Sequence, residues 1–349
     1  MIGEEKGIER GEGLPVNILY TGGTFGMRKD LRKAEFLPLS HILKRIPEVR
    51  EFNMPLRVFS WDRPMDSSHM IPEDWIRISR HIRKYYEESR GFLILHGTDS
   101  LSYTASMLSH ILRPLRKAIL LTGAQVPLEA SRSDARQNLL SSLEILKEER
   151  IRSEVAICFQ HLLLRGNRST KVDTTSYASF QSPRFPPLAH VGVDIEYKSS
   201  LFLPPAKDHV PPQTQDACET QVMLIKIFPG MEPRFLIQLL KHTEIKGLLF
   251  ETLGAGHMLL SKSLNHSLKS VQERGSHIAH VSQATRGKVK NSYAAAQPLS
   301  DLGVVGCKDM TTEAALTKMM FLLGNNPNLS AESFSKHMTR PWAGECSKD

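Results

Sequence analysis

Thr24 closes the break in "ILYTGGTFGM" (18–27), where an apolar run gives way to two threonines bracketing two glycines. Read alone, this is a tight turn at a strand end. A hydroxyl held on such a turn becomes a nucleophile only where a neighbouring group can take its proton. "HGTDSLSY" (96–103) offers such neighbours: Thr98 is a second hydroxyl, and Asp99 is a carboxylate able to hold an amino group. Asp99 and Ser100 equally suit the cap of a helix that follows, so the same residues carry a purely structural reading. "RGNRSTKVDTTSYASF" (165–180) adds a cation. Lys171 is an ordinary surface lysine if it points outward; turned toward Thr98 and Asp99, it eases removal of a hydroxyl proton.

Other chemistries fit less well. Gly22 and Gly23 are adjacent and the next glycine is Gly26, which is not GxGxxG, and no Gly-Lys-Ser/Thr follows to make a P-loop. "LGAGHMLL" (253–260) carries a GxG, but Leu259 stands where the third glycine belongs, so it reads as a glycine-lined turn. Cys158, Cys218, Cys307 and Cys346 are too dispersed for a CxxC site or a disulfide frame, and no His/Cys/carboxylate cluster has metal spacing. Neither a metal nor a cofactor is expected. His96, at a strand end, reads as a packed and hydrogen-bonded histidine, and Cys158, in "VAICF", as a buried thiol.

These residues need a scaffold that gathers them. Strand-like runs at 16–20, 56–60, 92–96, 118–122 and 155–160 alternate with amphipathic helices near 73–88, 101–112 and 133–148. Short apolar strands separated by helices imply a parallel sheet covered on both faces. Ligands of such sheets bind beyond the carboxyl ends of the strands. "TGGTFG", "WDRPMDSSH", "HGTDS" and "TGAQ" follow the first four strands in turn, so they share one edge.

A proline-rich stretch, 201–220, reads as a linker. Beyond it strands at 222–228, 245–251 and 277–283 alternate with helices near 231–241, 259–273 and 311–323. The last of these helices opens with a capping arrangement in "TTEAAL". The expectation is an α/β protein with a larger N-terminal parallel-sheet domain (1–200) and a smaller C-terminal α/β domain (221–349).

The net charge is +8, but the basic residues are interleaved with acids, as in "WIRISRHIRKYYEESR" (75–90), which argues against a nucleic-acid partner. No apolar run is long enough to span a bilayer, and the polar N-terminus has no signal-peptide h-region, reading instead as a frayed tail. A cytoplasmic location without a membrane partner is expected.

Seven stretches occur in an order that resembles the bacterial-type L-asparaginases, specifically the cytosolic type I branch. They are "YTGGTFGM", "MDSSHMIPEDW", "GFLILHGTDSLSYTAS", "LTGAQVPL", "RSDARQNL", "RGNRSTK" and "GVVGCKDMTTEAALTK", and the likeness runs from about residue 16 to 325. The resemblance implies hydrolysis of L-asparagine to L-aspartate and ammonia through an acyl-threonine intermediate, with minor glutaminase activity, in a homodimer or homotetramer. Carried over by position, Thr24 is the nucleophile, and Thr98, Asp99 and Lys171 form a second polar triad. Gly23, Asp66, Ser67, Ser68, His69, Thr98 and Asp99 then line the substrate site. Backbone N–H groups near Thr98 would supply an oxyanion site.

Three positions depart from the family pattern. Phe36, in "KAEFLPLS", stands where many relatives place a lid tyrosine, and Tyr293, in "KNSYAAAQ", fits the position from which some cytosolic relatives supply that phenol. His69 replaces a common aspartate. Glu251 and Ala284 replace the arginine and cysteine of a regulatory asparagine site, which argues against allostery of that type. Two other functions compete. The ammonia-supplying subunit of a tRNA-dependent amidotransferase carries an extra domain ahead of the TGGT strand, where this sequence has about twenty residues. An amino-acid sensor would not need the nucleophile.

Overall fold

The computed structural model describes residues 2–8, 11–28, 35–206, 212, 215–289 and 297–348. The chain forms two compact units that divide between residues 214 and 215. In the first, the strands are β1 (Ile2–Ile8), β2 (Val16–Gly22), β3 (Leu56–Met65), β4 (Gly91–Leu95), β5 (Ile119–Thr122), β6 (Val155–Phe159), β7 (Leu162–Arg165), β8 (Thr170–Lys171), β9 (Phe180–Gln181), β10 (Ala189–Val191) and β11 (Ile195–Tyr197). Its helices are α1 (Leu39–Lys44), α2 (Pro72–Lys84), α3 (Leu101–Ile111) and α4 (Ala135–Glu148).

The nine-stranded sheet has the order β1-β3-β2-β4-β5-β6-β7-β10-β11. Its five central strands, β3-β2-β4-β5-β6, are parallel, as the apolar runs imply. Strands β2, β4, β5 and β6 are buried along their whole length, the burial expected of a sheet covered on both faces. Antiparallel strands extend it at both ends. The short strands β7, β10 and β11 lie among prolines and glycines that mask any sequence periodicity.

The N-terminus is not a frayed tail. β1 pairs antiparallel with β3, Ile2 opposite Trp61 and Ile8 opposite Leu56. Glu5 anchors it by accepting the N–H groups of Ser40 (2.8 Å) and Leu39 (3.3 Å) and the hydroxyl of Ser60. Partial burial opposes ionisation of Glu5, but the bonds from Ser60, Ser40 and Leu39 outweigh it and hold the carboxyl below its ordinary range. An edge strand needs backbone partners more than an apolar face, so composition did not reveal it.

The second unit has a parallel four-stranded sheet of β12 (Val222–Lys226), β13 (Gly247–Thr252), β14 (His277–Ser282) and β15 (Val305–Gly306), in that order. Its helices are α5 (Pro233–His242), α6 (Lys262–Glu273), α7 (Gln297–Asp301), α8 (Thr312–Asn325) and α9 (Ala331–Thr339). Thr311 caps α8 by accepting the Ala314 N–H at 3.2 Å. Lys318 and Glu345 form a fully buried ion pair at 2.6 Å that fastens the C-terminal segment to α8, with the lysine also bonded to the carbonyls of Met338 and Arg340. No helix among the described residues is long and apolar enough to cross a membrane.

Candidate active site

Close backbone approach brings the strand ends together. Gly23 has φ +80°, and a Cβ there would lie 2.3 Å from Gly97 Cα. A Cβ on Gly97 would in turn lie 2.6 Å from Ser67 Oγ. Only glycine lets the turns after β2, β3 and β4 pack this tightly. Thr21 reinforces the junction by donating its hydroxyl to the Leu95 carbonyl (3.1 Å), and the Gly23 N–H donates to Met65 O (3.0 Å). Thr24 follows at once, half-buried in a single helical turn, Thr24–Gly26. The bond at Gly23 fixes the turn rather than presenting its N–H to a ligand.

After β3, Asp66 caps the turn Ser67–His69 by accepting the Ser68 N–H at 2.9 Å. That bond, with lesser help from the Ser68 hydroxyl and the charges of His69 and Lys171, holds its carboxyl below the ordinary range. Ser67 is buried, whereas Ser68 and His69 are exposed. Ser100 donates its hydroxyl to the Ser67 carbonyl (2.6 Å), and its N–H meets Ser67 Oγ at 3.4 Å. α3 therefore begins without a side-chain cap bond at Ser100.

Lys171 points inward. Its Nζ donates to Thr98 Oγ1 at 2.9 Å and meets Asp99 Oδ1 at 2.6 Å. It is placed by the antiparallel pair β8–β9, with Lys171 opposite Phe180. The Thr98 hydroxyl donates to Gln125 Oε1 (3.3 Å), while Gln125 Nε2 donates to the Ser176 carbonyl (3.2 Å). The latter bond decides which end of the Gln125 amide faces Thr98. With its proton directed at Gln125 and one lone pair taken by Lys171, Thr98 keeps one lone pair to receive a proton.

No sequence pattern singles out Gln125, Asp134 or Asn138: "TGAQ" reads only as a polar turn and "RSDARQNL" only as a stretch that resembles the family. Buried Asp134 accepts the N–H groups of Gln125 and Val126, each at 3.0 Å, and Asn138 Nδ2 at 3.1 Å. Asn138 Nδ2 also bonds the Gly123 carbonyl at 2.9 Å. This lattice holds the turn that carries Gln125.

His96 is fully buried and bonded to the Gly97 carbonyl and Thr104; burial pushes its pKa down to about 4, so the ring is neutral. Phe36 packs against the core of the sheet, and its backbone bridges to Met27. Tyr293 lies outside the described residues. No cluster of three or more potential metal ligands occurs among the described residues.

Residues 15–202 match the family model "Asparaginase, N-terminal" and residues 221–335 match "Glutaminase/Asparaginase C-terminal domain". L-asparaginase 1 of Escherichia coli K12 is 34% identical, covering 96% of this chain and 98% of its own length. The 60 kDa lysophospholipase of Homo sapiens is also 34% identical over 94% of this chain, which spans only 60% of that larger protein. Among solved structures, L-asparaginase I of Vibrio cholerae aligns with a TM-score of 0.85 at 33% identity, covering 96% of this chain and 99% of the other. Both halves of the chain, each with its own sheet and its own matching family model, belong to the asparaginase/glutaminase family.

Proposed function

We propose that the protein hydrolyses L-asparagine to L-aspartate and ammonia, with minor activity toward glutamine. The observation that carries this reading is Lys171 bonded to both Thr98 and Asp99, at the sheet edge where the Gly23 turn presents Thr24. Thr24 Oγ1 attacks the side-chain amide carbon, and the developing oxyanion is met by the N–H of Thr98. The Thr24 proton passes to the amide nitrogen, the C–N bond breaks, and ammonia leaves an acyl-threonine ester. Water then attacks the ester, giving its proton toward Thr98 and releasing aspartate and the Thr24 hydroxyl.

Lys171 and the free lone pair of Thr98 make that proton acceptance easier, because a nearby cation stabilises negative charge on oxygen. Asp99 faces the substrate α-ammonium and Ser67 and Ser68 its α-carboxylate, with His69, Asp66 and Gly23 shaping the same wall. Tyr293, by the family pattern read from the sequence, is the phenol we assign to proton transfer, since the Phe36 ring has no proton to give. Functionally, 1–200 carries these groups, 201–220 links and 221–349 completes the enzyme, which works in the cytoplasm as a homodimer or homotetramer. The test is ammonia release from asparagine and glutamine at micromolar and millimolar substrate. Thr24→Ala and Thr24→Val should abolish it while melting like the wild type. Wild-type rates from either variant would overturn the assignment.

A further inference from the structure

A buried hydrogen-bond chain ends on the backbone of the proposed site. The Trp75 indole N–H donates to Thr104 Oγ1 at 3.0 Å, and Thr104 Oγ1 lies 2.9 Å from His96 Nε2. His96 Nδ1 lies 2.6 Å from the Gly97 carbonyl oxygen. The carbonyl has no proton, so Nδ1 must supply one. Nε2 then has a lone pair, which accepts the Thr104 hydroxyl at 2.9 Å in preference to the weaker Met70 sulfur acceptor, 3.5 Å from Thr104 Oγ1 and 2.9 Å from Nε2. Every bond in the chain thus has one direction, from Trp75 through Thr104 and His96 to Gly97. Thr104 and His96 are wholly buried and Trp75 nearly so.

The Gly97–Thr98 peptide is planar and trans, so fixing the Gly97 oxygen toward His96 turns the Thr98 N–H the opposite way. Thr98 is itself largely buried, and among the described residues its N–H donates to no backbone carbonyl. A buried, unpaired N–H is rare unless something else uses it.

We propose that Trp75, Thr104 and His96 are positioning residues that aim the Thr98 N–H at the oxyanion by holding the Gly97 carbonyl. This rests on the amidohydrolase reading above. A misaimed oxyanion donor loses transition-state stabilisation while leaving ground-state binding almost intact, so the effect falls on kcat rather than KM.

The experiment uses the full chain with Thr104→Val, Thr104→Ser and Trp75→Phe, scored by kcat and KM for asparagine and by thermal unfolding. Thr104→Val keeps the shape of the side chain but removes the hydroxyl, and should lower kcat by roughly ten- to a hundredfold with KM within about twofold. Thr104→Ser should restore kcat to within about threefold, and Trp75→Phe should lower it less than Thr104→Val. Nitrogen-15 spectra of wild-type His96 should show a neutral ring protonated at Nδ1.

A Thr104→Val enzyme with normal kcat and only a lower melting temperature would overturn the proposal. A wild-type His96 protonated at Nε2 would do the same, whether or not the variant folds. Thr24→Ala run in parallel separates the two readings. If it is inactive while Thr104→Val is fully active, the hydrogen-bond chain alone is refuted; if it is active, the site itself is wrong.

Discussion

Replacing Lys171 by methionine sets two magnitudes against each other. The Lys171 side chain is 17% exposed, but its ion-pair partner Asp99 is 60% exposed. An ion pair open to water on one side contributes about 0–1 kcal/mol to stability. For a unit of this size that corresponds to a melting shift of at most about 2–4 °C. If Lys171 instead supports proton transfer through Thr98 at 2.9 Å, its loss removes a contribution on the order of 10²–10⁴ in rate. Each tenfold is about 1.4 kcal/mol, so the barrier rises by about 3–5 kcal/mol, several times the stability effect. Steady-state ammonia release and thermal unfolding, measured on one preparation, read both quantities. Turnover within about threefold of wild type, with a lowered melting temperature, would refute the reasoning and make Lys171 a structural cation.

Gly23→Ala should destabilise the N-terminal unit and abolish turnover, because φ is +80° and the new Cβ would lie 2.3 Å from Gly97 Cα; denaturant unfolding equal to wild type would show that the turns can separate. Asp134→Asn replaces an oxygen facing the N–H groups of Gln125 and Val126 with a donor, and should cost about 1.5–3 kcal/mol and lower kcat by misplacing Gln125, a result checked by urea unfolding and ammonia release. Burial pushes the pKa of His81, His96 and His280 down to about 4 from 6.5, so the unfolded chain binds more protons between those values. Stability contributed by these neutral rings is therefore complete above about pH 6.5 and falls toward pH 4, by about 3 kcal/mol per fully buried ring; equal unfolding free energies at pH 7 and 4.5 would contradict this. Asparagine saturation should be hyperbolic, since the Glu251 carboxylate already accepts Thr312 Oγ1 at 2.6 Å and pairs with Lys226 at 3.7 Å; a sigmoidal curve at several enzyme concentrations would refute it.

Residue chemistry and local pattern were legible in the sequence alone. Four of the five parallel strands of the larger sheet, β2, β4, β5 and β6, show as apolar runs because each is buried on both faces, and β3 shows as one over its first half. The polar turns after them show as breaks in those runs, and the order of the motifs was enough to suggest the family. What the tertiary structure decided was which way side chains point and what distant groups they meet. Lys171 is seventy-three residues from Thr98, and no spacing rule says that it turns inward; the β8–β9 pair does that. Ser100 could have capped α3, but the turn after β3 passes close enough to take its hydroxyl instead. Gln125 and Asp134 carry no signal of their own, because an amide or a carboxylate becomes part of a site only when its partners are brought to it from elsewhere in the chain. β1 was invisible for a related reason: its stability comes from a backbone ladder to β3 and from Glu5 bonding to Ser40 and Leu39, contacts that exist only once the sheet has formed.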